Sequence, residues 1–286
     1  MSANCLHTHT EFCDGKGSVE AFCQAAYAKG LSALGFSAHA PITKKTGLKT
    51  DWHLADERLD EYIDTVNAAR RLWAGKLPVY LGLEVDYIKG LSSPADKDFQ
   101  SLGLDYIIGS VHYVFPPAGG EPFTVDDEAA VFEREVSRHF SGDGEAVMEA
   151  YWDAVEGMIS QGGFDILGHL DLIRKNNPRG EYFNPQGERY RRRIRQIAPK
   201  AARSGAVVEV NTGGINRGKT ADPYPSRELL ALLRAAGARV TITADAHEPD
   251  HLGGGYDTAR EILLRAGYTE TVEFEGPERG WTAAAI

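Results

Sequence analysis

The chain has 286 residues, with 41 acidic and 31 basic side chains and a formal net charge of −10. Hydrophobic residues make up 42% and charged residues 25%, an ordinary balance for a folded protein that excludes disorder, collagen-like structure and a disulfide scaffold. The acidic excess argues against a nucleic-acid partner, which needs a basic face. Cys5, Cys13 and Cys23 form no C-x-x-C pair, and their odd number favours a reducing compartment. The first residues carry no basic-then-apolar leader, and no apolar run is long enough to span a bilayer. These features predict a cytoplasmic protein without membrane contact.

Short apolar runs alternate with longer amphipathic ones along the chain. Ala3–Thr8 reads as the first strand. Ser18 then caps a helix over Val19–Lys29, which Gly30 closes. Strand Ala33–Ala38 follows, then a helix over Asp56–Trp73 with Leu59, Tyr62, Ile63, Val66 and Ala69 at helical spacing. Strands Val79–Val85 and Tyr106–Val111 come next, with a Gly/Pro-rich loop over Phe115–Phe123. A helix over Glu145–Ile159 leads to strand Asp165–Leu170 and a loop over Asn176–Gln186. The basic run Arg189–Arg195 spreads around a helix, at about 100° per residue, instead of forming one patch. Strand Ala206–Asn211, helix Ser226–Ala236 and strand Val240–Ala244 complete seven repeats, and Thr271–Phe274 is a weaker eighth run. Repeated β-α order predicts a parallel sheet in a single domain over residues 1–286. Periodicity alone leaves open sheet and closed barrel undecided. No G-x-G-x-x-G follows a strand, so a dinucleotide fold has no support.

Six of the nine histidines (His7, His9, His39, His112, His169 and His247) fall at the C-terminal end of an expected strand. In an α/β barrel that level is the active-site face. His7 and His9 stand at i and i+2, as do Asp245 and His247, and each pair projects to one side of its strand. Glu84 ends the third strand, and Asp14 lies in the loop after His9. Imidazole and carboxylate together are ligands for zinc, iron or manganese. A buried carboxylate without a counter-charge is costly, so a strand-end Glu among histidines implies a cation. His53, His139 and His251 lack a strand-end position and read as surface or supporting residues.

This ordered set resembles the PHP (polymerase and histidinol phosphatase) superfamily of metal phosphoesterases, most narrowly its monofunctional histidinol-phosphatase branch. The likeness runs over about residues 5–268. It includes Leu6-His7-Thr8-His9-Thr10, Phe36-Ser37-Ala38-His39-Ala40-Pro41, Gly82-Leu83-Glu84-Val85-Asp86-Tyr87, His169-Leu170-Asp171-Leu172-Ile173-Arg174-Lys175, Pro223-Tyr224-Pro225 and Ala244-Asp245-Ala246-His247. The resemblance implies a distorted (β/α)7 barrel, TIM-barrel-like, with the metals at the C-terminal strand ends. It implies one metal on His7, His9, Glu84 and Asp245. A second shares Glu84 and adds His112 and His169, and a third uses Asp14, His39 and His247. Many superfamily members have His where Asp14 stands; the Asp oxygen keeps the third site with an altered metal preference. The implied substrate is L-histidinol phosphate, with Arg174 and Arg217 as phosphate clamps.

Two or three divalent ions suit phosphate-monoester hydrolysis, because they lower the pKa of water and polarise phosphoryl oxygens. Glu84, Asp245 and His247 are the residues expected to act in the chemistry. Arg174, Lys175 and Arg217 follow strands five and six and are expected to hold the phosphate. Neither a G-x-S-x-G elbow nor a C-x5-R loop is present, so a covalent phospho-enzyme is not indicated. A different small phosphate ester or nucleotide, a nuclease module, an amidohydrolase and a metal-storage protein are the competing readings. The chain has no basic groove for a nuclease, and its fourth strand ends in His112, where an amidohydrolase typically has a modified Lys. The sequence leaves the oligomeric state open.

Overall fold

The computed structural model describes residues 3–286. Seven parallel strands form one sheet: β1 (Asn4–Cys5), β2 (Ala33–His39), β3 (Val79–Asp86), β4 (Tyr106–Ser110), β5 (Ile166–Leu167), β6 (Val207–Asn211) and β7 (Val240–Thr243). They are hydrogen-bonded in chain order. A parallel bridge from Thr8 to Ala246 brings the first and last together, so the sheet curls into a nearly closed barrel. Periodicity could not decide this, because closure rests on a contact between the two ends of the strand order.

The helices pack outside. They are α1 (Val19–Ala28), α2 (Leu59–Leu72), α3 (Ala129–Phe140), α4 (Gly144–Gln161), α5 (Glu188–Arg203), α6 (Arg227–Ala235) and α7 (Tyr256–Arg265). The Ser18 side chain accepts from Ala21 N and starts α1. α3 and α7 fall in stretches not read as helical from the sequence, although Phe132, Val136 and Phe140 have the spacing of a buried face. The basic run lies on α5, where Arg191, Arg192, Arg193 and Arg195 form ion pairs with Glu228, Glu149, Asp153 and Glu188. The run of residues at 271–274 is not an eighth barrel strand. β8 (Glu270–Phe274) pairs antiparallel with β9 (Trp281–Ala285), an alanine-rich strand of low intrinsic β-preference.

Side chains alternate across each strand. On β3, Leu81, Leu83 and Val85 join the large outer core beneath the helices, while Gly82, Glu84 and Asp86 face the barrel interior. A smaller cluster of Leu6, Tyr106, Ile108, Ile166 and Phe274 fills the lower interior, so β8 helps to plug the bottom. Tyr106 is the centre of this plug. Its hydroxyl donates to the Leu6 carbonyl at 2.6 Å and lies 3.1 Å from that of Phe36. Its ring fits only because the facing residues are glycines. A Cβ added at Gly35 or Gly82 would stand 2.4 or 2.5 Å from Tyr106 atoms.

β1 and β5 are shorter than the expected runs, and at their ends backbone donors serve side chains. Thr8 N donates to Ser37 Oγ at 3.0 Å, and His169 N donates to Glu209 Oε2 at 2.7 Å. Gly82→Ala should overpack the plug and destabilise the protein by about 1–3 kcal/mol. Denaturant unfolding checks this, and an unchanged midpoint would show that Tyr106 does not fill the barrel floor.

Candidate metal centre

The nine residues expected as ligands converge above the Tyr106 plug. Barrel closure does much of this work. His9 N donates to Ala246 O at 2.9 Å, and Ala246 N donates to His7 O at 3.1 Å. The His-x-His and Asp-x-His segments are thereby zipped side by side. Asp245 adopts φ +46°, a left-handed conformation uncommon outside glycine and best tolerated by Asp and Asn. Such strained backbone concentrates at functional sites.

Glu84 is fully buried at the centre. Its Oε1 lies 2.8 Å from His169 Nε2 and 3.8 Å from His112 Nε2. Its Oε2 lies 2.9 Å from His39 Nδ1, 3.2 Å from His7 Nε2 and 3.5 Å from His9 Nε2. Asp245 Oδ1 is 3.4 Å from His9 Nε2 and 3.7 Å from His7 Nε2. Asp14 Oδ2 is 2.9 Å from His247 Nε2, and its Oδ1 is 3.7 Å from both His39 Nε2 and His9 Nδ1. His39 thus stands between Glu84 and Asp14.

The donors fit divalent cations. His9, Asp14, His39 and His247 offer donor atoms all within 4.8 Å of one another, as do His7, Glu84 and His169, and His7, His9 and Asp245. His7 Nε2, His39 Nδ1 and Glu84 Oε2 are buried without a hydrogen-bond partner. Orphaned buried polar atoms are rare, and metal coordination would satisfy these three together.

The electrostatics follow from crowding. Burial and the neighbouring His39 and His247 push the His9 pKa down to about 3. Burial would also depress His112, but Asp86 and Glu84 outweigh it and raise it to about 10. Burial opposes the charge of Glu84, yet the surrounding imidazoles hold its carboxyl well below the usual range. Carboxylates stay ionised in this setting, as ligands must be.

Comparison with known proteins places the chain in a family. The PHP domain profile matches residues 6–213. The chain belongs to the PHP domain family. A Deinococcus radiodurans protein named "Probable histidinol-phosphatase" is 31% identical over 267 residues, covering 93% of this chain and 94% of the relative. The Bacillus subtilis histidinol-phosphatase is 26% identical, covering 89% of this chain and 97% of that one. A Listeria monocytogenes crystal structure shares the PHP fold at TM-score 0.79 and 22% identity, over 89% of this chain and 99% of the other. The Lactococcus lactis histidinol phosphate phosphatase, crystallised with zinc, L-histidinol and phosphate, aligns at TM-score 0.68 and 21% identity over 95% and 96% of the two chains.

The cluster forms the floor of a cleft of about 1110 Å³. Of the three cations expected to bind phosphate, Lys175 and Arg217 line this cleft and Arg174 does not. Arg174 turns aside to Asp171, at 3.3 Å. Arg217 leans over the cluster, with Nη2 donating to Asp245 Oδ2 at 3.2 Å and Nη1 to His247 Nδ1 at 2.9 Å. Lys175 donates to the Asp126 carbonyl at 2.5 Å.

Sequence reasoning assigned no role to two carboxylates that orient the imidazoles. Glu209 Oε1 accepts from His7 Nδ1 at 2.5 Å, while Oε2 accepts from His169 N. Asp86 Oδ1 accepts from His112 Nδ1 at 2.7 Å, and Oδ2 accepts from His53 Nε2 at 2.9 Å. His53 is therefore a buried supporting residue and not a surface one, while His139 pairs with Glu135 on α3. A signal existed for both carboxylates. Glu209 is a lone charge inside an apolar strand, and Asp86 is two residues beyond Glu84 on the same face. Glu209→Gln should weaken metal binding by roughly 10–100-fold, because the partner that fixes the His7 tautomer is lost. Zinc titration against a competing chelator measures this; wild-type affinity would show that Glu209 does not orient His7.

Proposed function

We propose that this PHP protein is a metal-dependent phosphatase that hydrolyses L-histidinol phosphate to L-histidinol and phosphate in histidine biosynthesis. The observation that carries this reading is the convergence of His7, His9, Asp14, His39, Glu84, His112, His169, Asp245 and His247 in one cluster, all but the buried His7 and His9 lining a single cleft. The names of the full-length relatives support the substrate. Asp245 and His247 lie beyond the profile-matched segment yet complete the site, which supports reading residues 1–286 as one domain.

Two or three divalent ions bound there, zinc, iron or manganese, would supply Lewis acidity and an activated water. The chain supplies the rest. Glu84 presents one carboxylate oxygen to His169 and the other to His7 and His39, so it is placed to bridge neighbouring ions. Arg217 sets a guanidinium at the rim of the cluster, where it can take phosphoryl oxygens in bidentate fashion. Farther out the wall is acidic, with Glu121, Asp126 and Asp127. That polarity suits a leaving alcohol that carries an ammonium group better than a neutral or anionic one. Among the described residues no helix is long and apolar enough to cross a membrane. The three free cysteines support a reducing, cytoplasmic setting.

Phosphate release from a panel of monoesters tests the substrate. Histidinol phosphate should give the highest kcat/KM, and equal turnover of nucleotides or sugar phosphates would reject the assignment. His9→Ala and Glu84→Ala should each lose metal and more than about 99% of turnover, as expected when a ligand of a water-activating metal is removed. Elemental analysis beside the assay checks both, and full activity in either variant sinks the cluster. Arg217→Ala should raise KM about tenfold or more through loss of a charge-assisted contact, while metal content under saturating metal stays normal. Loss of metal at saturation would instead make Arg217 a support for Asp245.

A further inference from the structure

One wall of the cleft is an irregular segment, residues 47–54, that carries Leu48, Thr50 and Trp52 into the opening. It has little regular structure to hold it. Its end is pinned to β2, where Leu54 N donates to the His39 carbonyl at 3.0 Å. Its middle is tied to the metal centre by a chain of side chains. His112 Nε2 faces Glu84; with a cation on that nitrogen, Nδ1 would carry the remaining proton and donate to Asp86 Oδ1. Asp86 Oδ2 accepts from His53 Nε2, which leaves His53 Nδ1 as an acceptor for the Thr50 hydroxyl at 2.8 Å. Trp52 rests on this assembly. Its ring centroid is 3.7 Å from that of His53, 4.6 Å from His39 and 5.4 Å from His112.

We propose that Thr50, His53 and Asp86 form a latch that couples the ordering of the 47–54 cleft wall to metal binding at His112, with His53 as the positioning residue. The coupling is reciprocal, as any linkage between two equilibria must be. Metal on His112 Nε2 fixes its ring and strengthens the Nδ1 donor, which orders the wall; an ordered wall pre-sets the ring and tightens the metal. The inference rests on the metal-centre reading and is independent of the substrate.

Hydrogen exchange of the full chain, with and without saturating zinc, tests the first arm. Zinc should slow exchange across 47–54 in the wild type, and His53→Phe should abolish that protection while α1 and α5 exchange as before. Competition with a chelator tests the second arm. His53→Phe should lower zinc affinity about 10–100-fold. His53→Gln, whose amide can still donate to Asp86, should recover most of it. Thr50→Val, a milder change on a half-buried side chain, should give a smaller loss in the same direction should the Phe variant fold poorly. Wild-type zinc affinity in both His53→Phe and Thr50→Val, or zinc-independent exchange across 47–54 in the wild type, would overturn the latch. Equal losses in His53→Phe and His53→Gln would also overturn it, since packing and not the hydrogen bond would then be responsible. None of these readouts requires phosphatase activity, so a failed substrate assignment leaves them intact.

Discussion

Glu84 is a carboxylate with no accessible surface, surrounded by the imidazoles of His7, His9, His39, His112 and His169 within 4 Å. Among the described residues no Lys or Arg lies within salt-bridge distance of it. Burying such a charge is expensive unless it is paired or coordinates a metal. The barrel arranges its interior around that requirement. Below Glu84 the space is filled by an apolar plug around Tyr106, admitted by two glycines. Above the plug the inward positions become polar: Ser37, Glu84, Asp86, Ser110, Glu209, Asn211, Thr243 and Asp245 are all buried. The apolar floor closes the cluster from below, and the cleft opens above it.

Geometry at such a site depends on the second set of contacts as much as on the ligands. Glu209 hydrogen-bonds His7, His169 N and Thr243 at once, and so ties strand ends from β1, β5 and β7 around β6. Asp86 does the same for β3, β4 and the 47–54 wall. Side chains also take backbone donors where β1 and β5 end: Ser37 accepts from Thr8 N and Glu209 from His169 N. Backbone donors that serve side chains cannot also serve the sheet.

The charge distribution reconciles an acidic chain with an anionic ester. Bound divalent ions are the largest local charges in a site and invert its potential. Arg217, held by Asp245, adds a fixed cation at the rim. The remaining acidity lies on the outer wall, where it can select the leaving group without opposing the phosphate. Net charge therefore described the surface well and the reaction centre poorly, because a handful of buried groups and their ions dominate the local field.

Local pattern made much of this legible in the amino-acid sequence. Alternating runs marked the seven strands, because buried parallel strands are short and apolar. Histidines and acids at strand ends marked the ligand set, because ligand pairs at i and i+2 share a face. The missed helix α3 had a readable face, but strand β9, also missed, had none, since Trp281–Ala285 becomes a strand only by pairing with β8. The tertiary structure alone decided barrel closure, which depends on a bridge between Thr8 and Ala246, more than two hundred residues apart. It alone turned Arg174 away to Asp171 and brought His53 inward to Asp86. Residue type and spacing determine which groups can bind a metal; which carboxylate finds which imidazole is a matter of distance across the barrel, and only the closed fold sets those distances.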